Sequence, residues 1–290
     1  MTASLNPYIS QFGEEFDVGK SSQYRMAIQF ALGGLSFALL DTKTQTLIGL
    51  ECYQSELIAD TEDLFRCLER ALEHKELNDK NFQSVTCLID ERICTLVPQA
   101  LFDEKETSSY LDFAFQVHGN QSILSDPIAT EHCVDVFAVD KVLLNKIHGK
   151  WPEAQVRHTS SVFIESSMNR TSEGKSVSVN VRNRDFDMLI HENGKLLFFN
   201  NFKFNTKDDF AYFLMFAMEQ NGIGGNDMRV WFSGLLLPAS EITGLCERYI
   251  KEIHFVEDTH ELQVSKALDE VPFQYYYIHY QALRLNMRDS

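Results

Sequence analysis

An internal repeat is the feature that most limits how this chain can fold. The stretch 176–221 reads as strand, turn, strand, turn, strand and helix, and the stretch 24–78 has the same layout. Such a unit occurring twice, about 150 residues apart, indicates a chain built by duplication. We therefore expect two similar halves, each combining a sheet with helices.

Turn residues separate the strands within each copy. In the first copy, Gly33-Gly34 can supply the positive φ angles that a two-residue hairpin requires. In the second, Asn193-Gly194 is the strongest short turn signal in the chain. Both signals predict antiparallel neighbours on either side of the turn.

Capping residues mark the two repeat helices. Asp60 is placed as the N-cap of the first helix, and Thr206 with Asp209 resembles a capping box at the start of the second. Gly222 suits the left-handed end of that second helix. The sequence between them, FAYFLMFAM, is apolar on all sides and predicts a deeply buried helix.

The remaining segments give weaker signals. Residues 1–20 read as a polar lead-in lying loosely on the surface, and 104–117 as a helix with mixed faces. The polar stretch 169–175 is the best candidate for a domain boundary. The last helix has an aromatic stripe that fits either a partner groove or core packing, and we favour the core. The stripe consists of Phe273, Tyr276, Tyr277 and Tyr280.

Net charge and cysteine positions narrow the functional classes. A formal net charge of −16 repels phosphate backbones, so we expect no nucleic-acid partner. The six cysteines form no CxxC pair and no zinc-like Cys/His spacing. The longest apolar run, FALGGLSFALL, is too short to cross a bilayer. We therefore expect a cytoplasmic protein without membrane insertion or a bound metal.

Three segments, taken with the duplicated layout, resemble the actin-like ATPase (duplicated ribonuclease-H-like) fold. RVWFSGLLLPASEITGLCERY is similar to the strand, glycine loop and helix that hold adenosine in pilus-assembly and cell-division members of that superfamily. ICTLVPQALFDE and PFQYYYIHYQALR are similar to a bacterial family of unknown function with this fold. The resemblance implies two α/β domains, 1–170 and 171–290, each a mixed five-stranded sheet with flanking helices. The C-terminal helix is expected to pack back on the first domain.

The active-site pattern of that superfamily is altered here. Active members place an Asp-x-Gly turn in the first hairpin of each half, where the acid orients Mg²⁺ and water and backbone N–H groups hold phosphate. This chain has Ala31-Leu32-Gly33 in the first hairpin and Asn180-Val181-Arg182 in the second. The adenosine loop keeps one glycine, in Ser233-Gly234-Leu235.

The resemblance therefore implies a vestigial nucleotide site and no catalytic residues. Without the two acids, metal-assisted phosphoryl transfer loses its main charge-stabilising groups. We expect an interaction or scaffold module that needs no cofactor and has an unidentified protein partner and an open oligomeric state. Binding of ATP or another nucleotide without hydrolysis stays open. The vestigial positions are Gly33, Gly34, Asn180, Arg182, Ser233 and Gly234.

A second hypothesis belongs to a different class. A nucleotide-dependent phosphotransferase or ATPase with a divergent active site would use acids outside the hairpin turns. Asp90 and Asp140, each ending a buried-type strand, are the acids to examine. Asp185 and Asp187 share a strand face and fit either a metal site or an exposed hairpin start; we favour the hairpin because no third ligand is visible.

Two short motifs are weaker still. Gly19-Lys20-Ser21 and Gly174-Lys175-Ser176 match the end of a phosphate-binding loop, but each precedes a predicted strand where the motif needs a helix. His132 and Cys133 are strand neighbours that point to opposite faces and so cannot act as a catalytic pair locally.

Overall fold

A computed structural model gives the architecture and describes residues 6–31, 33–56, 58–167, 174–224, 229–258 and 260–285. The chain divides into two compact units. Unit 1 comprises Met1–Val162, Thr259–Val271 and His279–Ser290, and unit 2 comprises Phe163–Asp258 and Pro272–Ile278. Most of the predicted boundary segment 169–175 lies outside the described residues.

Unit 1 is built on a seven-stranded sheet. The strands are β1 (Ile9–Phe12), β2 (Tyr24–Ala31), β3 (Gly34–Asp41), β4 (Thr46–Gln54), β5 (Ser84–Asp90), β9 (Gln155–His158) and β15 (Gln263–Val264). Their order is β1-β4-β3-β2-β5-β9, with β15 pairing β4. The strands β2, β3 and β4 form an antiparallel meander, and β5 and β9 continue the sheet in parallel.

A second, three-stranded antiparallel sheet also belongs to unit 1. Its strands are β6 (Cys94–Pro98), β7 (Gln121–Ile128) and β8 (Cys133–Asp140), in the order β6-β8-β7. The helices of this part of the chain are α1 (Thr61–His74), α2 (Thr107–Asp112), α3 (Lys141–Lys150) and α4 (Thr159–Ser167). The last of these continues across the division between the units.

Unit 2 contains the second copy of the repeat. Its strands are β10 (Lys175–Val181), β11 (Asp185–Glu192), β12 (Lys195–Lys203), β13 (Arg229–Gly234) and β14 (Glu252–Phe255), in the order β12-β11-β10-β13-β14. The helices are α5 (Lys207–Gln220), α6 (Glu241–Cys246) and α7 (Phe273–Leu285), the last of which is shared between the units.

Five strands of each sheet share one order, β4-β3-β2-β5-β9 in unit 1 and β12-β11-β10-β13-β14 in unit 2. The sheet of unit 1 has two more strands, β1 and β15, than the five expected from the sequence. In each sheet, an antiparallel meander of three strands is followed by a helix of 14 residues and two parallel strands. Each meander also has a register shift at the matching place, between Leu39 and Leu40 in β3 and between Ile190 and His191 in β11. A bulge bends a strand and increases its twist, so both sheets bend at the same step. The predicted duplicated α/β fold is confirmed.

The local turn and cap predictions agree with the structure. Asp60 accepts a hydrogen bond from the Asp63 N–H, and the capping box of Thr206 with Asp209 is present. Left-handed backbone occurs at the second hairpin turn and at the end of α5. The residues with positive φ there are Asn193, Gly194 and Gly222.

Three other expectations need correction. Residues 9–12 of the lead-in form β1, which pairs with β4. The Phe12 ring packs over Gly49, and a side chain at position 49 would clash with this ring. The predicted helix 104–117 is reduced to α2, preceded by a 3-10 turn at Glu104–Glu106. Gly33 has φ 77°, but Gly34 already lies in β3 and pairs with Ala31. Leu32 lies outside the described residues.

The aromatic stripe of α7 is part of the core, as favoured. Tyr276, Tyr277 and Tyr280 are at most 3% exposed. The helix also carries a buried histidine. His279 Nε2 lies 2.9 Å from Ser36 Oγ, and its Nδ1 has no hydrogen-bond partner within the part of the chain that the structure describes. Both residues belong to unit 1.

That histidine predicts a pH dependence of stability. Burial lowers the pKa of His279 from 6.5 to about 4, with the Ser36 hydrogen bond opposing the shift. Because the unfolded chain takes up the proton first, the stabilisation is fully present above about pH 6.5 and is lost as the pH falls towards 4. We expect the unfolding free energy to fall by about 3 kcal/mol more between pH 7 and pH 4 in the wild type than in His279→Gln. Urea unfolding across this range measures the difference, and parallel profiles would contradict it.

Candidate functional site

The carboxyl ends of β10 and β13 bring three of the predicted site residues together in unit 2. The two strands are parallel neighbours, with Asn180 opposite Ser233 and Val181 opposite Gly234. Ser233 Oγ donates a hydrogen bond to Asn180 Oδ1 at 3.1 Å, and both side chains are buried. The two polar groups therefore satisfy each other beneath the edge of the sheet.

Gly234 closes this edge by close backbone approach. Its φ is 82°, and a Cβ there would lie 2.8 Å from the Val181 nitrogen and 2.9 Å from its carbonyl carbon. The next residue, Leu235, donates its N–H to the Val181 carbonyl at 2.7 Å. A side chain at 234 would enter the backbone of β10, so glycine is needed for the fold of this loop whether or not a ligand binds.

Arg182, at the end of β10, lies in a network of polar side chains. Its Nη1 is 2.6 Å from Asp187 Oδ2 and its Nη2 is 2.9 Å from Asp187 Oδ1, a bidentate pair. Its Nε donates to Asp185. Asn201 Nδ2 donates to Asp187 Oδ1 at 2.9 Å from the neighbouring strand β12. The Arg182 guanidinium is therefore bound by two carboxylates.

This network changes two expectations from the sequence. Asp187 is buried, so the favoured exposed hairpin start is wrong for that residue. Arg182 N–H bonds the Asp185 carbonyl, so the turn consists of 183–184. The assumed second phosphate hairpin, Asn180-Val181-Arg182, therefore has its first two residues inside β10 rather than in the turn.

The acids of unit 1 have structural partners. Asp90 ends β5 opposite Ala31 and accepts a hydrogen bond from Gln29 Nε2 at 3.0 Å. Asp140 caps α3 by accepting from the N–H groups of Val142 and Leu143. Capping is a sufficient structural reason for a carboxylate at the latter position.

Glu91 follows Asp90 at the end of β5. Burial, and next the Asp90 carboxylate, raise the pKa of the Glu91 carboxyl, while His158 opposes the shift. The end of β5 therefore carries two acidic groups, one of which takes up protons more readily than usual.

The sequence did not reveal a group of five aromatic side chains on unit 2, of which two are exposed and three are half-buried. Ring contacts run from β12 onto α5: Phe198 to Phe202 at 6.4 Å, Phe202 to Phe213 at 5.7 Å, Phe213 to Tyr212 at 5.4 Å, and Tyr212 to Phe216 at 5.9 Å. We call these five residues the aromatic surface. Tyr212 is 61% and Phe216 46% exposed, so the prediction that α5 is buried on all sides is wrong.

A group of metal-ligating side chains was also missed. Cys94, Asp135 and His158 each offer one ligand atom, and these atoms all lie within 4.8 Å of one another. They come from β6, β8 and the end of β9, far apart in sequence. Only the pairing of the strands shows that they meet.

The family of this chain is identified from its sequence. The sequence model of a family described as "Protein of unknown function (DUF3822)" matches residues 13–253. The chain belongs to this family. None of the curated proteins has a sequence that matches it.

Solved structures share the fold of this DUF3822 member. A Bacteroides thetaiotaomicron VPI-5482 protein with actin-like ATPase fold and unknown function is similar with a TM-score of 0.74 and 20% identity, covering 83% of this chain and 93% of that one. The PilM–PilN type IV pilus biogenesis complex is similar with a TM-score of 0.62 and 10% identity, covering 90% of this chain and 98% of that chain. The actin-like ATPase fold expected from the sequence is confirmed for this family member. In the part of the chain that the structure describes, no helix is both long and apolar enough to cross a membrane.

Proposed function

We propose that this protein is a non-hydrolysing member of the actin-like ATPase fold that serves as a protein-interaction module. The observation that carries the proposal is the network around Arg182 at the turn of unit 2. Two carboxylates lie against the Arg182 guanidinium, where an active member would need backbone N–H groups open to phosphate. A phosphate there would have to compete with both carboxylates for the guanidinium.

The first hairpin supports the same conclusion. Ala31 stands where active members of the superfamily have an acid, and the nearby Asp90 is held by Gln29. Metal-assisted phosphoryl transfer needs carboxylates to hold Mg²⁺ against the phosphates. We therefore propose that neither a nucleotide nor a metal is needed at this site. The six unbridged cysteines suit a reducing compartment, which we propose is the cytoplasm.

The aromatic surface supplies a place for a protein partner. On α5, Tyr212 and Phe216 are one helical turn apart and lie between the exposed acids Asp208 and Glu219. An apolar strip with an acid at each end complements a partner with an apolar stripe flanked by basic residues. Exposed aromatic residues are common anchors of protein interfaces.

The form of the neighbouring strand favours a helix as this partner. β12 is the edge of its sheet, and an open edge could pair with an added strand. Lys195 and Lys203 stand at its two ends, and a bulge interrupts its register beside Ile190 and His191. Charged ends and bulges discourage strand addition. We therefore propose that an amphipathic helix with basic flanks docks on α5.

The structure of PilM with PilN also supports an interaction role. That structure is a complex of PilM with PilN, so a protein of this fold takes a protein partner. The shared fold makes an interaction role reasonable for the present chain. The proposed surface itself rests on the exposed side chains of unit 2.

Replacing Tyr212 and Phe216 is expected to weaken the docking of a helical partner on α5. The probe is a designed amphipathic helical peptide with a leucine stripe and lysine flanks, titrated by fluorescence anisotropy. We expect Tyr212→Ser/Phe216→Ser to weaken its binding by at least about 30-fold, because buried aromatic anchors contribute about 2 kcal/mol or more. A peptide with glutamate flanks should bind the wild type at least about tenfold more weakly.

Tyr249 provides the matched control, since it is 57% exposed and lies outside the aromatic surface. Tyr249→Ser should bind the lysine-flanked peptide like the wild type. Equal binding by the wild type and the double variant would refute the site. A wild-type dimer that the double variant dissociates would show that the surface binds a second copy instead.

A further inference from the structure

The side chains of Cys94, Asp135 and His158 are arranged as a ligand set in unit 1. Cys94 opens β6, and Asp135 lies on β8 with its side chain on the same face of the small sheet, because Cys94 pairs with Phe137 and Asp135 with Leu96. His158 ends β9 of the large sheet. Its ring stacks on Phe137, with centroids 4.8 Å apart. The cluster therefore joins the two sheets of one unit.

Hydrogen bonds fix the orientation of the histidine. His158 Nε2 lies 2.9 Å from the backbone carbonyl oxygen of Glu91, which can only accept, so this nitrogen carries a proton. A second proton is shared between Nδ1 and Asp135 Oδ2, which lie 2.7 Å apart, and its loss would give Nδ1 a lone pair for a metal ion. A histidine that donates one ring N–H to a backbone carbonyl is the usual arrangement around a metal ligand.

One of the two carboxylate oxygens of Asp135 makes hydrogen bonds with described residues, and the other does not. Ser161 Oγ donates to Asp135 Oδ2 at 3.1 Å. Asp135 Oδ1 is buried and has no hydrogen-bond partner among the described residues, although the residue is 0% exposed. A buried carboxylate oxygen without a partner costs free energy unless something else binds it. A cation bound beside His158 would remove that cost.

The surroundings do not oppose a cation. Asp126 is opposite Asp135 on β7, and its charge is already paired with Arg157, whose Nε lies 3.1 Å from Asp126 Oδ2. The positive charge of Arg157 is thus balanced by the Asp126 carboxylate. Cys94 is partly exposed, whereas Asp135 and His158 are buried, so the thiol side of the cluster is open to solvent.

We propose that Cys94 Sγ, His158 Nδ1 and an oxygen of Asp135 bind a divalent transition-metal ion of the zinc class. Sulfur, imidazole and carboxylate ligands together suit Zn²⁺ or Co²⁺ and disfavour Mg²⁺ and Ca²⁺, which require oxygen ligands. Three protein ligands leave a fourth position for water on the side of Cys94. The ion takes the place of the thiol proton and of the proton shared by His158 and Asp135, and both protons pass to solvent. Its effect is to tie β6 and β8 to the end of β9.

The test uses the full chain, freed of metal with a chelator and titrated with Co²⁺. We expect one equivalent to bind with a thiolate-to-cobalt charge-transfer band and to raise the midpoint of thermal unfolding. Cys94→Ser should lose the band. Asp135→Asn should weaken binding by at least about 100-fold, more than loss of an outer-shell partner does. Cys133→Ser, in the same small sheet, should keep both the band and the affinity.

Alkylation of the wild type keeps the proposal testable if a variant fails to fold. Burial raises the pKa of Cys52, Cys67 and Cys246 to about 12, so these thiols should react slowly with iodoacetamide in any case. Zn²⁺ should slow the alkylation of Cys94 at least about tenfold, as read by peptide mass spectrometry. Equal rates with and without Zn²⁺, or a cobalt band that persists in Cys94→Ser, would overturn the proposal.

Discussion

Replacing Gly234 with alanine is expected to lower the unfolding free energy by more than about 4 kcal/mol or to prevent unit 2 from folding. Two separate effects combine. The backbone there has φ 82°, which costs an L-residue about 1–2 kcal/mol. The new Cβ would also run into the Val181 carbonyl oxygen, so β10 and β13 would have to separate where Leu235 N–H bonds that same oxygen.

Gly194→Ala is the control for this prediction. Gly194 has φ 75°, and no heavy atom lies within 4 Å of the Cβ it would gain. This variant should therefore show the backbone effect alone, about 1–2 kcal/mol. Urea unfolding followed by circular dichroism gives both values. Equal destabilisation of the two variants would show that close approach to Val181 contributes nothing.

Removing the charge of Asp187 is the second large effect that we expect. The side chain is 2% exposed and binds Arg182 through both oxygens. Asp187→Asn keeps the shape and leaves the partly buried guanidinium without its bidentate partner, which should lower the unfolding free energy by about 3 kcal/mol. Chemical unfolding of the variant measures this loss.

Asp185 provides the matched comparison for Asp187, since it pairs with the same guanidinium. Its side chain is 18% exposed, so Asp185→Asn should cost about 1 kcal/mol or less. The double variant Arg182→Met/Asp187→Leu should be more stable than Asp187→Asn, because it removes both partners of the bidentate pair and leaves only Asp185, which is 18% exposed, without the guanidinium. A single Asp187 variant as stable as the Asp185 variant would contradict the buried-pair account.

The architecture could be predicted because its signals are local. Asp60, Thr206 with Asp209, and Asn193-Gly194 each act within a few residues, and the structure confirms all of them. Two copies of the same run of elements then restrict the topology. Even the bulge at the matching step of both meanders follows from one duplicated strand pattern, although the sequence alone does not show it.

The aromatic surface and the cluster of Cys94, Asp135 and His158 could not be predicted, because no local signal in the sequence marks them. A helix that is apolar on all sides does not reveal whether a second element covers it, and in α5 Tyr212 is 61% exposed. Cys94, Asp135 and His158 meet only through the pairing of β6 with β8 and the placement of β9. Such contacts depend on strand register over dozens of residues, which composition and spacing do not determine.

The hairpin between β10 and β11 could be predicted only in part. The sequence predicts a short polar turn directly after Arg182, at 183–185. The Arg182–Asp185 backbone bond shortens this turn to 183–184. Placing Asn180 inside β10 explains why its amide bonds Ser233 rather than facing a ligand.

Nucleotide binding and turnover distinguish a non-hydrolysing protein of this fold from an active ATPase. Calorimetric titration of the full chain with ATP and Mg²⁺, alongside a phosphate-release assay, should give no saturable heat and no phosphate above the blank. The Asp90→Asn variant should behave identically, because Asp90 serves β5 and not catalysis in this account. Stoichiometric ATP binding with phosphate release that Asp90→Asn abolishes would instead establish a working active site of divergent design.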